Sequence, residues 1–306
     1  MVLAVLTSFD GGRLFGQVHG TGAPAVIALH GWARDHRDFA LVLGGEATAV
    51  PAHAVLAPDT SSLLGRSSSD LALPDGPVPA IAIDLPGFGG TPPPEEAWGT
   101  PRYAKALEPL LDEIGGTVVL LGHSFGGRVA THLAAARPDR VAGLVLTGAP
   151  LFSKSSVPAA PTGGARGRRG EPARRRRPGA SPLTYRVARK LARSGLIGEE
   201  RLERYRQRYG SADYRAATGV MREVLVKAIF EEREEEYTAS IRAVSCPVEL
   251  VWGALDTAAP PAVADRIAST FATSPRLEVV PGVGHMTPLV IPGHLRAAVD
   301  RLVVAR

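Results

Sequence analysis

Ser124 stands in LLGHSFGGR (120–128), between Gly122 and Gly126, and follows the apolar run TVV at 117–119. A serine hydroxyl attacks carbonyls only when a general base takes its proton, and the base needs a carboxylate to fix its tautomer. In a chain with 34 glycines, G-x-S-x-G alone is a weak signal, and a glycine turn with an incidental serine is the plain alternative. Its surroundings decide. An apolar strand pattern precedes the motif and a helical pattern follows it, which is the setting of a nucleophile elbow. Such a turn projects the hydroxyl from the sheet edge, and the glycines remove side chains that would clash there. The helix N-terminus then offers free N–H groups to developing negative charge.

Of the eight histidines, His285 lies in PGVGHMTP, just past the last strand-like run and at the edge expected for Ser124. His132 and His294 fall inside helical patterns and read as packing or surface groups. With the order Ser, Asp, His, the acid is sought among Asp139, Asp213, Asp256 and Asp265. Asp139 precedes its strand, Asp213 sits in a helical insertion, and Asp265 falls inside a helix. Asp256, in VWGALDT, directly follows a strand's carboxyl end, so it is the expected acid. The alternative position after Thr147 reads TGAP and offers no carboxylate. Oxyanion donors are sought in HGWARDHRDF (30–39), where Gly31 lets the backbone approach a substrate; the Trp32 N–H would pair with that of Phe125. His30 is expected to brace this loop and take no part in the chemistry. No metal and no organic cofactor is required by this chemistry.

Those residues need a scaffold that brings strand ends together. Short apolar runs at 25–31, 80–87, 117–123, 141–148, 247–253 and 276–282 read as parallel strands buried on both faces. Helical patterns lie between them, at 100–115, 125–138 and 260–272, with another closing the chain. The first has Thr100 as expected N-cap, Pro101 at the first helical position, and Pro109 expected to kink or shorten it. Alternating strands and helices imply an α/β sheet with helices on both faces. Two segments break the alternation. Residues 44–79 carry a GRSSSD tract without period and read as a long flexible connection. Residues 151–243 begin with a linker rich in Pro, Gly and Arg, basic and disordered in expectation over 155–182, and continue as amphipathic helices. They form an insertion expected to act as a lid.

Bulk composition fits a soluble globular chain of 306 residues, 45% hydrophobic and 21% charged. No stretch approaches the roughly 20 apolar residues of a membrane span. The start lacks a basic n-region, so no signal peptide is read and a cytoplasmic location is expected. The single Cys246 excludes an internal disulfide or a multi-thiolate zinc site. The arginine run RGRRGEPARRRR at 166–177 carries +6, more than the whole chain's +5, so the rest nets −1. A nucleic-acid binder would use such a run, but it holds no aromatic residue and sits among Pro and Gly, so a solvated linker is expected and no nucleic-acid partner. Oligomeric state is not readable.

Five motifs, in order, resemble the α/β-hydrolase superfamily: HGW at 30–32, DLPGFGGTPPP at 84–94, GHSFGG at 122–127, VWGALD at 251–256 and GVGH at 282–285. The resemblance implies an eight-stranded, mostly parallel sheet with helices on both faces, opened by an antiparallel hairpin from FDGGRLFGQVHG (9–20). It implies a core of 1–150 and 244–306, a helical cap at 151–243 after the sixth strand, and a Ser124–Asp256–His285 triad. The long 44–79 segment and the arginine-rich linker depart from it. Carboxylesterase-like hydrolysis of a small, partly apolar ester is the implied reaction. The same scaffold hosts carbon–carbon bond hydrolases, perhydrolases, lyases and non-catalytic ligand receptors, so the fold leaves the substrate open.

Overall fold

Runs that are apolar on both faces can be covered only from both sides, and they form the middle of one eight-stranded sheet. The structure is a computed structural model that describes residues 6–44, 76–153, 212–230 and 234–305. Its strands are β1 (Thr7–Phe9), β2 (Leu14–His19), β3 (Val26–Leu29), β4 (Ala80–Asp84), β5 (Val118–His123), β6 (Val141–Thr147), β7 (Val248–Gly253) and β8 (Arg276–Val280). They lie in the order β1-β2-β4-β3-β5-β6-β7-β8. The pairs β1/β2 and β2/β4 are antiparallel and the rest are parallel. Every residue of β3, β4, β5 and β7 is buried, whereas the edge strand β8 is largely accessible. Burying one leucine of such a strand contributes about 2 kcal/mol, which makes the central strands the stable part of the scaffold.

The longer helices are α1 (Thr100–Ile114), α2 (Phe125–Ala136), α3 (Gly219–Phe230), α4 (Glu234–Ala243), α5 (Pro261–Thr270) and α6 (Pro292–Val304). Two glycines show that α2 and α6 cover opposite faces. A Cβ on Gly122 would meet Gly127 and Ala130 of α2, and a Cβ on Gly143 would meet Leu302 of α6. Gly143 pairs with Val119, which lies an odd number of residues from Gly122 and so points the other way. Close packing on both sides explains glycine inside two buried strands.

Several local expectations are corrected. Gly99 is the N-cap of α1, extended at φ −91° and ψ 168°, and its carbonyl accepts the N–H groups of Arg102 and Tyr103. Thr100 is already helical, and its buried hydroxyl bonds the Tyr237 hydroxyl at 2.8 Å, so it is not free to cap. The helix also runs through Pro109 to Ile114 and stops at Gly115, which adopts a left-handed φ of 77°. The strand read at 80–87 ends at Asp84, because Leu85–Phe88 closes a turn through the Phe88 N–H to the Leu85 carbonyl at 2.9 Å.

The chain divides into two compact units, Met1–Ala159 with Lys227–Arg306, and Ala160–Val226. The first therefore includes α4, which the sequence reading placed in the insertion. There Tyr237 is buried, and Ser240 meets His132 of α2 at 2.9 Å. In the second unit a one-turn helix, Ala212–Ala216, precedes α3; Arg222 bonds the Ala217 carbonyl at 2.9 Å and lies over the Tyr214 ring. The 45–75 part of the long connection, the arginine run and most of the expected cap lie outside the described residues. No helix among the described residues is long and apolar enough to cross a membrane.

Candidate active site

The carboxyl ends of the parallel strands share one edge, where ligands of open α/β sheets gather. β5 ends at His123, α2 begins at Phe125, and Ser124 alone makes the turn at φ 51° and ψ −114°. A non-glycine residue held there is strained by about 1–3 kcal/mol and persists only where its surroundings enforce it. They do so through the main chain. The Ser124 N–H donates to the Thr147 carbonyl at 3.0 Å, and the Ser124 carbonyl accepts from Gly127 at 3.0 Å and Arg128 at 3.3 Å. A Cβ on Gly122 would lie 2.6 Å from the Gly127 Cα. One on Gly126 would overlap the Leu29 carbonyl and lie 2.6 Å from the His30 oxygen, and Gly126 itself donates to that oxygen at 2.9 Å. Gly127, which the sequence reading did not single out, leaves room for Ala149.

His285 follows the tight turn after β8. Its Nε2 is 3.0 Å from the Ser124 Oγ and its Nδ1 is 2.7 Å from the Asp256 Oδ2. Asp256 is buried, and its second oxygen accepts the Ala258 and Ala259 N–H groups, each at 2.8 Å. A carboxylate filled this way only accepts, so the His285 proton sits on Nδ1 and the Nε2 lone pair faces the serine. The turn that carries Asp256 is anchored by Trp252, whose buried indole N–H donates to the Ala259 carbonyl at 2.7 Å. The other three aspartates weighed as acid lie elsewhere: Asp139 is exposed and pairs with Arg137, while Asp213 and Asp265 are exposed on helices. Gly148 was missed. At φ 58°, a Cβ there would come within 3.0 Å of the His285 ring and 3.3 Å of Asp256. The TGAP that offered no acid is therefore the floor beneath the pair.

The His30–Arg34 loop lies against the serine, since a Cβ on Gly31 would be 3.3 Å from the Ser124 Cβ. His30 is fully buried. Its Nε2 accepts the Leu85 N–H at 3.0 Å, which leaves Nδ1 to donate to the Gly31 carbonyl at 2.7 Å. Burial pushes its pKa down, so the ring is a neutral brace. Ala33 takes a left-handed φ of 54°, and the Arg34 N–H closes the turn onto the Gly31 carbonyl. The Trp32 ring stands edge-on to Phe88 and Phe125, at 5.0 and 5.5 Å between centroids. Among the described residues, neither the Trp32 nor the Phe125 backbone N–H has an acceptor. His123 was also missed, although it immediately precedes Ser124; it is buried, with Nε2 3.0 Å from the His285 carbonyl.

Asp35, His36 and Asp84 place three possible metal-ligand atoms within 4.8 Å of one another. Each is already engaged by the chain. Asp84 accepts from the His36 N–H, the His36 ring and the Gly90 N–H, each at 2.8 Å, and Asp35 pairs with Arg37. The cluster therefore ties the 85–90 turn to the loop after β3.

A family profile described as alpha/beta hydrolase fold matches residues 79–290. The chain belongs to the α/β-hydrolase fold family. Within it, the chain is 54% identical to the lipase LipV of Mycobacterium tuberculosis over 74 residues, covering 22% of this chain and 26% of that one. It is 41% identical to an esterase of the same organism over 129 residues, covering 42% of this chain and 33% of that one. The matches thus span a third or less of these relatives' own lengths. A thermophilic esterase from Thermogutta terrifontis superposes with a TM-score of 0.55 at 22% identity, covering 99% of both chains. A monoacylglycerol lipase from Paleococcus ferrophilus gives 0.57 at 17% identity, covering 96% of this chain and 99% of that one. These two likenesses concern the α/β-hydrolase fold alone.

Proposed function

We propose that this α/β-hydrolase-fold chain is a serine hydrolase of a small, partly apolar ester, working through Ser124, His285 and Asp256. The observation that carries the proposal is the unbroken chain from the Ser124 Oγ to His285 at 3.0 Å and on to Asp256 at 2.7 Å. His285 Nε2 takes the hydroxyl proton as the Ser124 Oγ bonds to the ester carbonyl carbon. The oxyanion so formed accepts from the Trp32 and Phe125 N–H groups. Collapse breaks the bond to the alcohol, which leaves with the proton from His285. Water then enters, gives one proton to His285, and releases the acid as Ser124 recovers its own. Asp256 holds the Nδ1–H tautomer and stabilises the imidazolium formed in both steps. The names of the lipase and esterase relatives support an ester as substrate class. The test is turnover of acyl esters of graded chain length, with Ser124→Ala as control. Turnover lost in the folded variant is the expected result; turnover retained would overturn the proposal.

A further inference from the structure

His123 is the last residue of β5, and alternation along the strand turns its side chain away from α2, which Gly122 faces. Its Nε2 lies 3.0 Å from the His285 carbonyl oxygen, which can only accept, so Nε2 carries the proton. Nδ1 is then an acceptor, buried and, among the described residues, without a hydrogen-bond partner. The space beside it is closed by Gly31, where a Cβ would lie 3.0 Å from Nδ1. The His123 and His285 rings are 4.9 Å apart. One side chain therefore touches the loop that carries the base and the loop that carries an oxyanion donor, while its own main chain continues into the nucleophile. A phenyl ring would fill this space and leave no nitrogen unpaired; what the imidazole adds is the Nε2–H donor. Burial, and after it the nearby His285, hold the His123 pKa well below the usual histidine value, which keeps the ring in this one-proton form.

We propose that His123 is a positioning residue, which sets the base loop and the oxyanion loop in register with Ser124 through its bond to the His285 carbonyl and its contact with Gly31. The inference rests on the proposed Ser124 chemistry. The His285 carbonyl also accepts the near-sequence Thr287 N–H, at 2.9 Å, so the His123 bond is its tie to a strand far along the chain. Without His123 the base loop loses its bond to the end of β5, and the 3.0 Å approach of His285 to Ser124 loosens. Such a shift slows the chemical step and leaves substrate binding nearly intact.

The experiment compares His123→Leu, His123→Gln and His123→Asn on a short acyl ester, with folded active sites counted by a fluorophosphonate. Glutamine carries an N–H at about the reach of the imidazole Nε2, whereas asparagine stops one bond short and leucine has no donor. Glutamine is expected to stay within about threefold of the native kcat, and leucine and asparagine to fall about 30- to 100-fold with KM nearly unchanged. Equal kcat per labelled site in all three variants, or losses confined to KM, would overturn the role of His123. If the leucine variant does not fold, the glutamine and asparagine pair decides by the same criterion. Failure of the native protein to take the label would instead sink the Ser124 reading, which separates the two failures.

Discussion

The turn at Ser124 and the loop at His30–Arg34 lie against each other, and they are held by different means. The turn is fixed by the main chain: the Thr147 carbonyl takes the Ser124 N–H, the Gly126 N–H reaches the His30 carbonyl, and two glycines give clearance that no side chain would leave. The loop is fixed by its own side chains. His30 reaches Leu85, Arg34 grips the buried Asp38 at 2.8 Å, and Trp32 leans on Phe88 and Phe125. A turn secured by backbone packing fails as a whole, because nothing nearby can move. A loop secured by separate side chains fails by degrees. Substitutions in the two regions should therefore differ in kind.

The largest effect belongs to the turn. Ser124→Ala should lower kcat by about 10^5-fold or more while the fold persists, measured by ester turnover beside circular dichroism. Ser124→Gly should be equally inactive yet about 1 kcal/mol more stable in urea, because glycine relieves the φ of 51°. A glycine variant less stable than the native protein would contradict a strained elbow. Asp256→Asn comes next, with kcat lower by about 10^4-fold and an unchanged melting temperature, since the amide removes the charge that holds the His285 tautomer. Gly126→Ala should cost about 3 kcal/mol of stability and abolish labelling by fluorophosphonate, because the new methyl overlaps the Leu29 carbonyl.

The loop should respond more mildly. His30→Leu leaves the Leu85 N–H without its partner and the Gly31 carbonyl with the Arg34 N–H alone, so a stability loss of about 2 kcal/mol is expected. The kcat should fall about 10- to 100-fold, through a less well aimed Trp32 N–H. A loss as complete as that of Ser124→Ala would erase the contrast between the two regions.

The difference in construction also explains what could be read in advance. Ser124 was legible because its turn is local: an apolar strand, two glycines and a helix are contiguous in the chain. Asp256 and His285 were legible by their places just after strands, and the structure brings both to Ser124. His123 and Gly148 were not, because each acts through a neighbour more than a hundred residues away in the chain, and adjacent residues of a strand serve opposite faces. The Thr100 cap failed for the same reason. Nothing local reveals that Tyr237 takes its hydroxyl. The sequence also reads α4 as part of the insertion, whereas it packs on α2 and falls in the first compact unit, through a contact between Ser240 and His132 that nothing local reveals.

The smallest expected effect on catalysis lies away from the site, in the buried histidines. His19 and His132 are each lowered by burial from 6.5 to about 4. Below pH 6.5 the unfolded chain takes up protons that the folded chain refuses, so stability falls as pH drops from 6.5 towards 4 and is fully present above 6.5. Urea midpoints across that range should fall with pH, and less steeply in His132→Leu. An unchanged slope would show that His132 is not held neutral.

The central claim is that Ser124 carries the acyl group during turnover. Rapid-quench mass spectrometry of the native protein with a short acyl ester tests it most directly. The account predicts a transient mass increase equal to the acyl group, located on the peptide containing Ser124 and decaying as the ester is consumed. Turnover with the acyl group on another residue would contradict it.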